Sequence, residues 1–269
     1  MTDSPTARPH ARKFLAVTLV LVGIAIGALG IAAGILLRGS RSKSPTAPAW
    51  SAWSPSDGGI AGEREIANAI APLYRATPAS QLAIVTVQNI NDSATNPTGT
   101  QLAVRNTSGT LSALPGATSV YSLCGLGPGC QIATGTPSAA RLLLLRREAL
   151  ELALYTFKYI GGIENFVAIL PPGRTVVGCT GICSKANLPK TTKSVNIAVA
   201  LPRQALQHFL NQPVRDTLPE PVPPLPEQMD LAPEAELVSV VTAQGLFSQQ
   251  SVQAQDGSNV LVLDPLPPQ

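Results

Sequence analysis

The stretch PSAARLLLLRREALELALYTFKYI, residues 137–160, decides how the rest of the chain must be arranged. Thr136 stands where an N-cap belongs, and Pro137 suits the first helical position because a helix start leaves that N–H unpaired anyway. Gly161 follows as a C-terminal stop. The spacing predicts one long helix over 137–160. Arg141, Glu148, Glu151 and Lys158 fall on a narrow stripe at steps of seven, three and seven. The leucines at 142–145, 150, 152 and 154, with Phe157 and Ile160, cover most of the circumference. Such a helix must be covered on most sides, with the charged stripe left to water. Arg147 and Glu151, four apart, add a few tenths of a kcal/mol.

Short apolar runs lie on both sides of this helix, at 82–87, 119–123, 166–170 and 195–201, with a weaker one at 101–105. Strands that are apolar throughout are covered on both faces, and helices interleave with them here. One helix follows Asp57, carries Ile66, Ile70, Leu73 and Tyr74 at helical spacing and is closed by Pro78; another opens at Pro202 with Leu206, Phe209 and Leu210 on one face. The expected class is α+β or α/β, a single mixed-sheet domain over 59–212 with about three helices. Residues 213–233 hold seven prolines and read as an extended strap. In 234–269 the runs 237–241 and 260–263, with Asp256-Gly257 between them, predict a C-terminal β-hairpin and tail that return to the same sheet.

Towards the N-terminus, FLAVTLVLVGIAIGALGIAAGILL, residues 14–37, carries no charge. As a helix it would measure about 36 Å, against a bilayer hydrocarbon core of about 30 Å. Arg38, Arg41 and Lys43 intervene before Ala47-Pro48-Ala49, too far from the apolar run for a cleaved signal peptide, so an uncleaved signal-anchor helix is expected. Residues 1–13 form a tail and 38–58 a Ser-, Pro-, Ala- and Gly-rich tether. Trp50 and Trp53 in that tether cover the domain edge or fold back onto lipid. The net charge of +3 is misleading: Arg8, Arg12, Lys13, Arg38, Arg41 and Lys43, opposed by Asp3, place +5 beside the apolar run and leave about −2 elsewhere. Nucleic-acid binding needs positive charge on the folded domain, so that class is excluded.

Three basic residues on each side of the span leave orientation open, and the cysteines decide it. Cys124 and Cys130 bracket Gly-Leu-Gly-Pro-Gly, and Cys179 and Cys183 bracket Thr-Gly-Ile. Neither spacing fits a C-x-x-C zinc knuckle, and pairs in short loops read as disulfides of an oxidising compartment. Three pairings are possible; proximity favours closure within each loop, whereas crossed bridges would restrict the unfolded chain more. The N-terminus is then cytoplasmic and the domain extracytoplasmic.

No G-x-S-x-G elbow, H-E-x-x-H pair, Walker loop or EF-hand loop is present. His208 reads as a surface histidine, and Gly125, Gly127 and Gly129 lack the strand and helix of a phosphate-binding loop. No metal and no cofactor is expected. One anomaly stands out: Arg174, Lys185, Lys190 and Lys193 lie in a stretch without any acid, a candidate anion-binding loop for lipid headgroups or wall polymer.

The blocks LCGLGPGC, LLRREALELALYTFKYI and FVAILPPG resemble exported, single-pass, membrane-anchored proteins of high-GC Gram-positive bacteria without an assigned activity. There is a second likeness to small α+β modules of membrane-anchored envelope and sporulation proteins. The resemblance implies a cell-envelope location and carries over no site. The expected function is a non-catalytic, membrane-anchored interaction or scaffold module of the envelope. Its partners would be the bilayer and an envelope protein or anionic polymer; the alternatives are a binding domain for an anionic envelope component and an envelope hydrolase.

Overall fold

A computed structural model describes residues 49–89, 101–106, 108–172, 196–254 and 257–266. The chain divides into two units, Met1–Pro48 and Ala49–Gln269. The predicted span at 14–37 lies outside the described residues, among which no helix is long and apolar enough to cross a membrane.

Helix α1, Ile60–Ile70, runs into a 3-10 turn at Ala71–Leu73 and a small hairpin of β1, Arg75–Thr77, and β2, Ser80–Gln81. Then come β3 (Ile84–Asn89), β4 (Gln101–Arg105), β5 (Leu111–Ala113) and β6 (Thr118–Cys124). The long helix α2 is Ala139–Tyr159, two residues shorter at its start than expected. Its cap is Ser138, whose hydroxyl accepts from the Arg141 N–H at 3.1 Å, so Thr136 and Pro137 stay outside. Strands β7 (Asn165–Ile169) and β8 (Ile197–Pro202) lead to α3 (Arg203–Leu210) and α4 (Val214–Thr217). A 3-10 segment at Pro226–Leu231, helix α5 (Ala235–Ala243) and strands β9 (Leu246–Gln253) and β10 (Asn259–Pro265) complete the chain.

The class is mixed α+β. One eight-stranded sheet has the order β3-β6-β7-β8-β9-β10-β4-β5, with β6/β7 and β10/β4 parallel and the other pairs antiparallel. The helices share one face: Tyr121, Phe166, Ala168, Val199 and Leu201 of the sheet join Ile66, Leu150, Leu154, Phe157 and Leu206 of the helices in the main core. On the other face Leu102, Val120, Val167, Ala198 and Leu263 form a second buried cluster. Strands β4 and β6 stand five places apart, about 24 Å in a flat sheet. Their meeting in one cluster means that the sheet curls around this second face.

Three expectations change. The segment 213–233 is no extended strap: α4 and the 3-10 segment break it, and Thr217, Leu218, Pro226 and Met229 are buried. Its prolines open short helical turns instead of continuing an extended chain. The run 237–241 is helical, not a strand, because α5 lies against α2, where Val238 and Thr242 are buried; the first strand of the C-terminal hairpin is β9 instead. The described residues therefore hold five α-helical segments where about three were expected. Residues 49–58 belong to the folded unit rather than to a tether: the Val214 N–H donates to the Trp50 carbonyl at 2.8 Å, and the Gly161 N–H to that of Gly58.

Candidate functional site

The concave second face opens into a cleft of about 250 Å³. Leu102, Val120, Ile169 and Leu261 supply its apolar lining; Gln88, Gln101, Ser251 and Asn259 supply amides and a hydroxyl. Strand alternation explains the set except for Gln101, which pairs with Val260, turns its side chain to the other face and can border the cleft only through its backbone. Leu261 stands beside Leu102 in the parallel pair and beside Ser251 in the hairpin, while Val120 stands beside Gln88, and directly paired residues share a face. Curling then brings the β3/β6/β7 group opposite the β4/β10 group.

A second cluster lies inside the helical layer. Arg147 of α2 is 1% exposed, and its Nε donates to Glu234 Oε1 at 2.7 Å. Its Nη1 donates to the Tyr74 hydroxyl at 2.7 Å and to Glu151 Oε2 at 3.2 Å, and its Nη2 to the Glu220 carbonyl at 2.7 Å. Tyr74 in turn donates to Glu151 at 2.6 Å. Burial alone would lower the pKa of the guanidinium, but the surrounding Tyr74, Glu151 and Glu234 oxygens outweigh it and hold the charge in place. Two further carboxyls, Glu63 and Glu148, are fully buried with neither oxygen hydrogen-bonded. Burial pushes Glu63 up to about 7; the nearby Ser119 hydroxyl opposes the shift without reaching hydrogen-bond geometry. Glu148 is held well above the carboxylate range by burial and by the charge of Glu151. Arg146, lowered to about 10 by burial, donates to Thr242 Oγ1 at 2.6 Å and to the Ser239 carbonyl, tying α2 to α5.

No family model, curated protein or solved structure matches this chain. Its chemistry has to be read from its own side chains. The charged stripe expected to face water is instead buried: Glu148 is 0% exposed and Arg141 8%, and only Lys158 of the four is exposed. A signal for this was present, since a helix apolar nearly all round leaves no face for water and its charges must find partners inside. Glu63 and Glu234 had no such signal, because each is buried by elements distant in sequence.

Cys124 and Cys130 are bonded to each other, as local closure required. The bridged loop is also held by the Gly125 N–H donating to the Cys130 carbonyl at 2.8 Å and the Gly127 N–H to that of Gln131 at 2.7 Å. A Cβ at Gly125 would collide with the Gln131 carbonyl, so this glycine serves close backbone approach rather than a phosphate. Replacing both cysteines by serine should cost roughly 2 kcal/mol, read from urea unfolding, and peptide mapping without reductant should recover the linked pair. A loss near zero would mean that the two backbone bonds suffice to close the loop.

Cys179, Cys183 and the basic set Arg174, Lys185, Lys190 and Lys193 lie outside the described residues. His208 is exposed on α3 against Phe209. Among the described residues no three His, Cys, Asp or Glu gather as metal ligands.

Proposed function

We propose that Ala49–Gln269 is a non-catalytic interaction module of the cell envelope, anchored in the membrane by residues 14–37, and that its cleft receives an uncharged, hydrogen-bonding part of an envelope partner. The observation that carries this reading is the make-up of the cleft: the carboxamides of Gln88 and Asn259 and the Ser251 hydroxyl over an aliphatic base, with no ionisable side chain among the described residues lining it. Carboxamides both donate and accept, which suits backbone amides or hydroxyl groups, and they do not exchange protons near neutral pH. The uncharged run at 14–37 supports the anchor, and the Cys124–Cys130 bridge supports an oxidising compartment.

A photo-reactive phenylalanine analogue at Gln88 or Asn259 should give a discrete cross-linked product in intact cells, whereas the same group at exposed Val240 on α5 should not. Leu261→Arg, which fills the cleft with a charge, should abolish the product. Absence of product at both cleft positions, or a product indifferent to Leu261→Arg, would overturn the assignment.

A further inference from the structure

The chain has two tryptophans and four tyrosines, and both tryptophans gather with two of the tyrosines in one place. Trp50 meets Tyr155 edge-on with ring centroids 5.2 Å apart, and Tyr159 at 5.6 Å; Trp53 lies over Tyr155 at 5.9 Å. The Ser51 and Tyr159 hydroxyls share a hydrogen bond of 2.6 Å. Lys158 Nζ stands 5.6 Å from the centre of the Trp50 ring while donating to the Leu210 carbonyl. Trp53 is 38% exposed, and Tyr155 and Tyr159 are half-buried. The patch is thus fixed from behind by packing and open in front. Large rings with polar tips, beside a cation on a long aliphatic stem, are the side chains that partition into the headgroup region of a bilayer.

What covers the open side follows from position in the chain. Trp50 is thirteen residues past Leu37, where the apolar run ends. Those thirteen residues reach at most about 45 Å even when fully extended. A tether this short gives the patch a millimolar effective concentration at the surface it is tied to, so even a weak preference for that surface is satisfied. We infer that the Trp50–Trp53–Tyr155–Tyr159 patch rests in the headgroup region of the membrane in which residues 14–37 are anchored. This rests on the anchored reading above and adds that the domain lies down on the bilayer through a defined face.

The two tryptophans make the test direct, because no other residue contributes indole emission. The full chain is reconstituted into phosphatidylcholine vesicles carrying a nitroxide either near the carboxyl end or near the methyl end of the acyl chain. Emission should be quenched more by the shallow label than by the deep one and protected from aqueous iodide. Trp53→Phe should lose most of the quenching, since the more exposed ring is gone. Flotation of the same vesicles separates the two ideas. A chain that floats, escapes lipid quenching and stays open to iodide keeps its anchor but has only a packed domain edge. One that is shielded from iodide in native membranes yet unquenched by labelled lipid has a protein on the patch, which also overturns the inference. A chain that does not float refutes the anchor and the resting face together.

Discussion

Arg147→Met should destabilise the folded unit by about 3–5 kcal/mol, the range for removing one partner of a buried ion pair. Glu234, 2% exposed as a residue, would lose the donor at 2.7 Å and keep a second carboxylate oxygen that already has no partner. The Glu220 carbonyl and the Tyr74 hydroxyl would lose theirs too. For a domain of this size such a loss lowers the melting temperature by roughly 10 °C. Urea unfolding and calorimetry of the single variant give the number. If Arg147→Met does not fold, Arg147→Lys, which keeps the charge but not the planar fork, should fall between it and the parent. Pairing Arg147→Met with Glu234→Gln should recover part of the loss, because the orphaned charge goes with its partner. A single-variant loss below about 1 kcal/mol would show that water reaches the cluster.

The second large effect is in pH. Glu63 has a folded-state pKa of about 7 against an ordinary 4.5, and Glu148 lies well above that same value. For a carboxyl raised on folding, the folded state holds a proton that the unfolded chain releases above about 4.5, so stability falls as pH rises. The loss begins near the unfolded pKa and, for Glu63, is complete once pH passes about 7. At 1.36 kcal/mol per pKa unit, Glu63 alone contributes a decline of about 3 kcal/mol. Unfolding free energies measured from pH 4.5 to 8 should slope downward, and Glu63→Gln should flatten the slope and stabilise the protein at pH 8. A stability that is level or rising over that interval would mean that Glu63 is ionised in the fold with a partner.

The helix at 137–160 and six of the seven strand runs, all but 237–241, were legible because a leucine-rich surface at helical spacing and short apolar runs have few other solutions. What misled was chemistry whose meaning depends on a distant neighbour. Pro226 reads as extended chain until it is seen to open the turn that buries Met229. The β-branched run around Val238 and Val241 has strand propensity, yet α2 requires a cover and α5 supplies it as a helix. The stripe Arg141, Glu148, Glu151 looks like a wet face until Tyr74 and Glu234 arrive from residues 73 and 87 positions away from Arg147. The cleft was invisible for the same reason: its two walls come from strands five places apart in the sheet.

The strand order also dictates when the molecule can be finished. Asn259–Pro265 is synthesised after every other described strand, and it sits inside the sheet, between β9 and β4. Among the described strands the hairpin of β4 and β5, made more than 140 residues earlier, joins the rest of the sheet only through β10, so that pairing closes a very long loop. Non-local pairing of this kind is slow, since the entropy of closure is spent before any contact repays it. The concave face is therefore assembled only once residues 259–265 are free to pair. Until then the apolar strands β4 and β6 lack their cover on that side, a window in which the unfinished chain is open to aggregation or to a holdase.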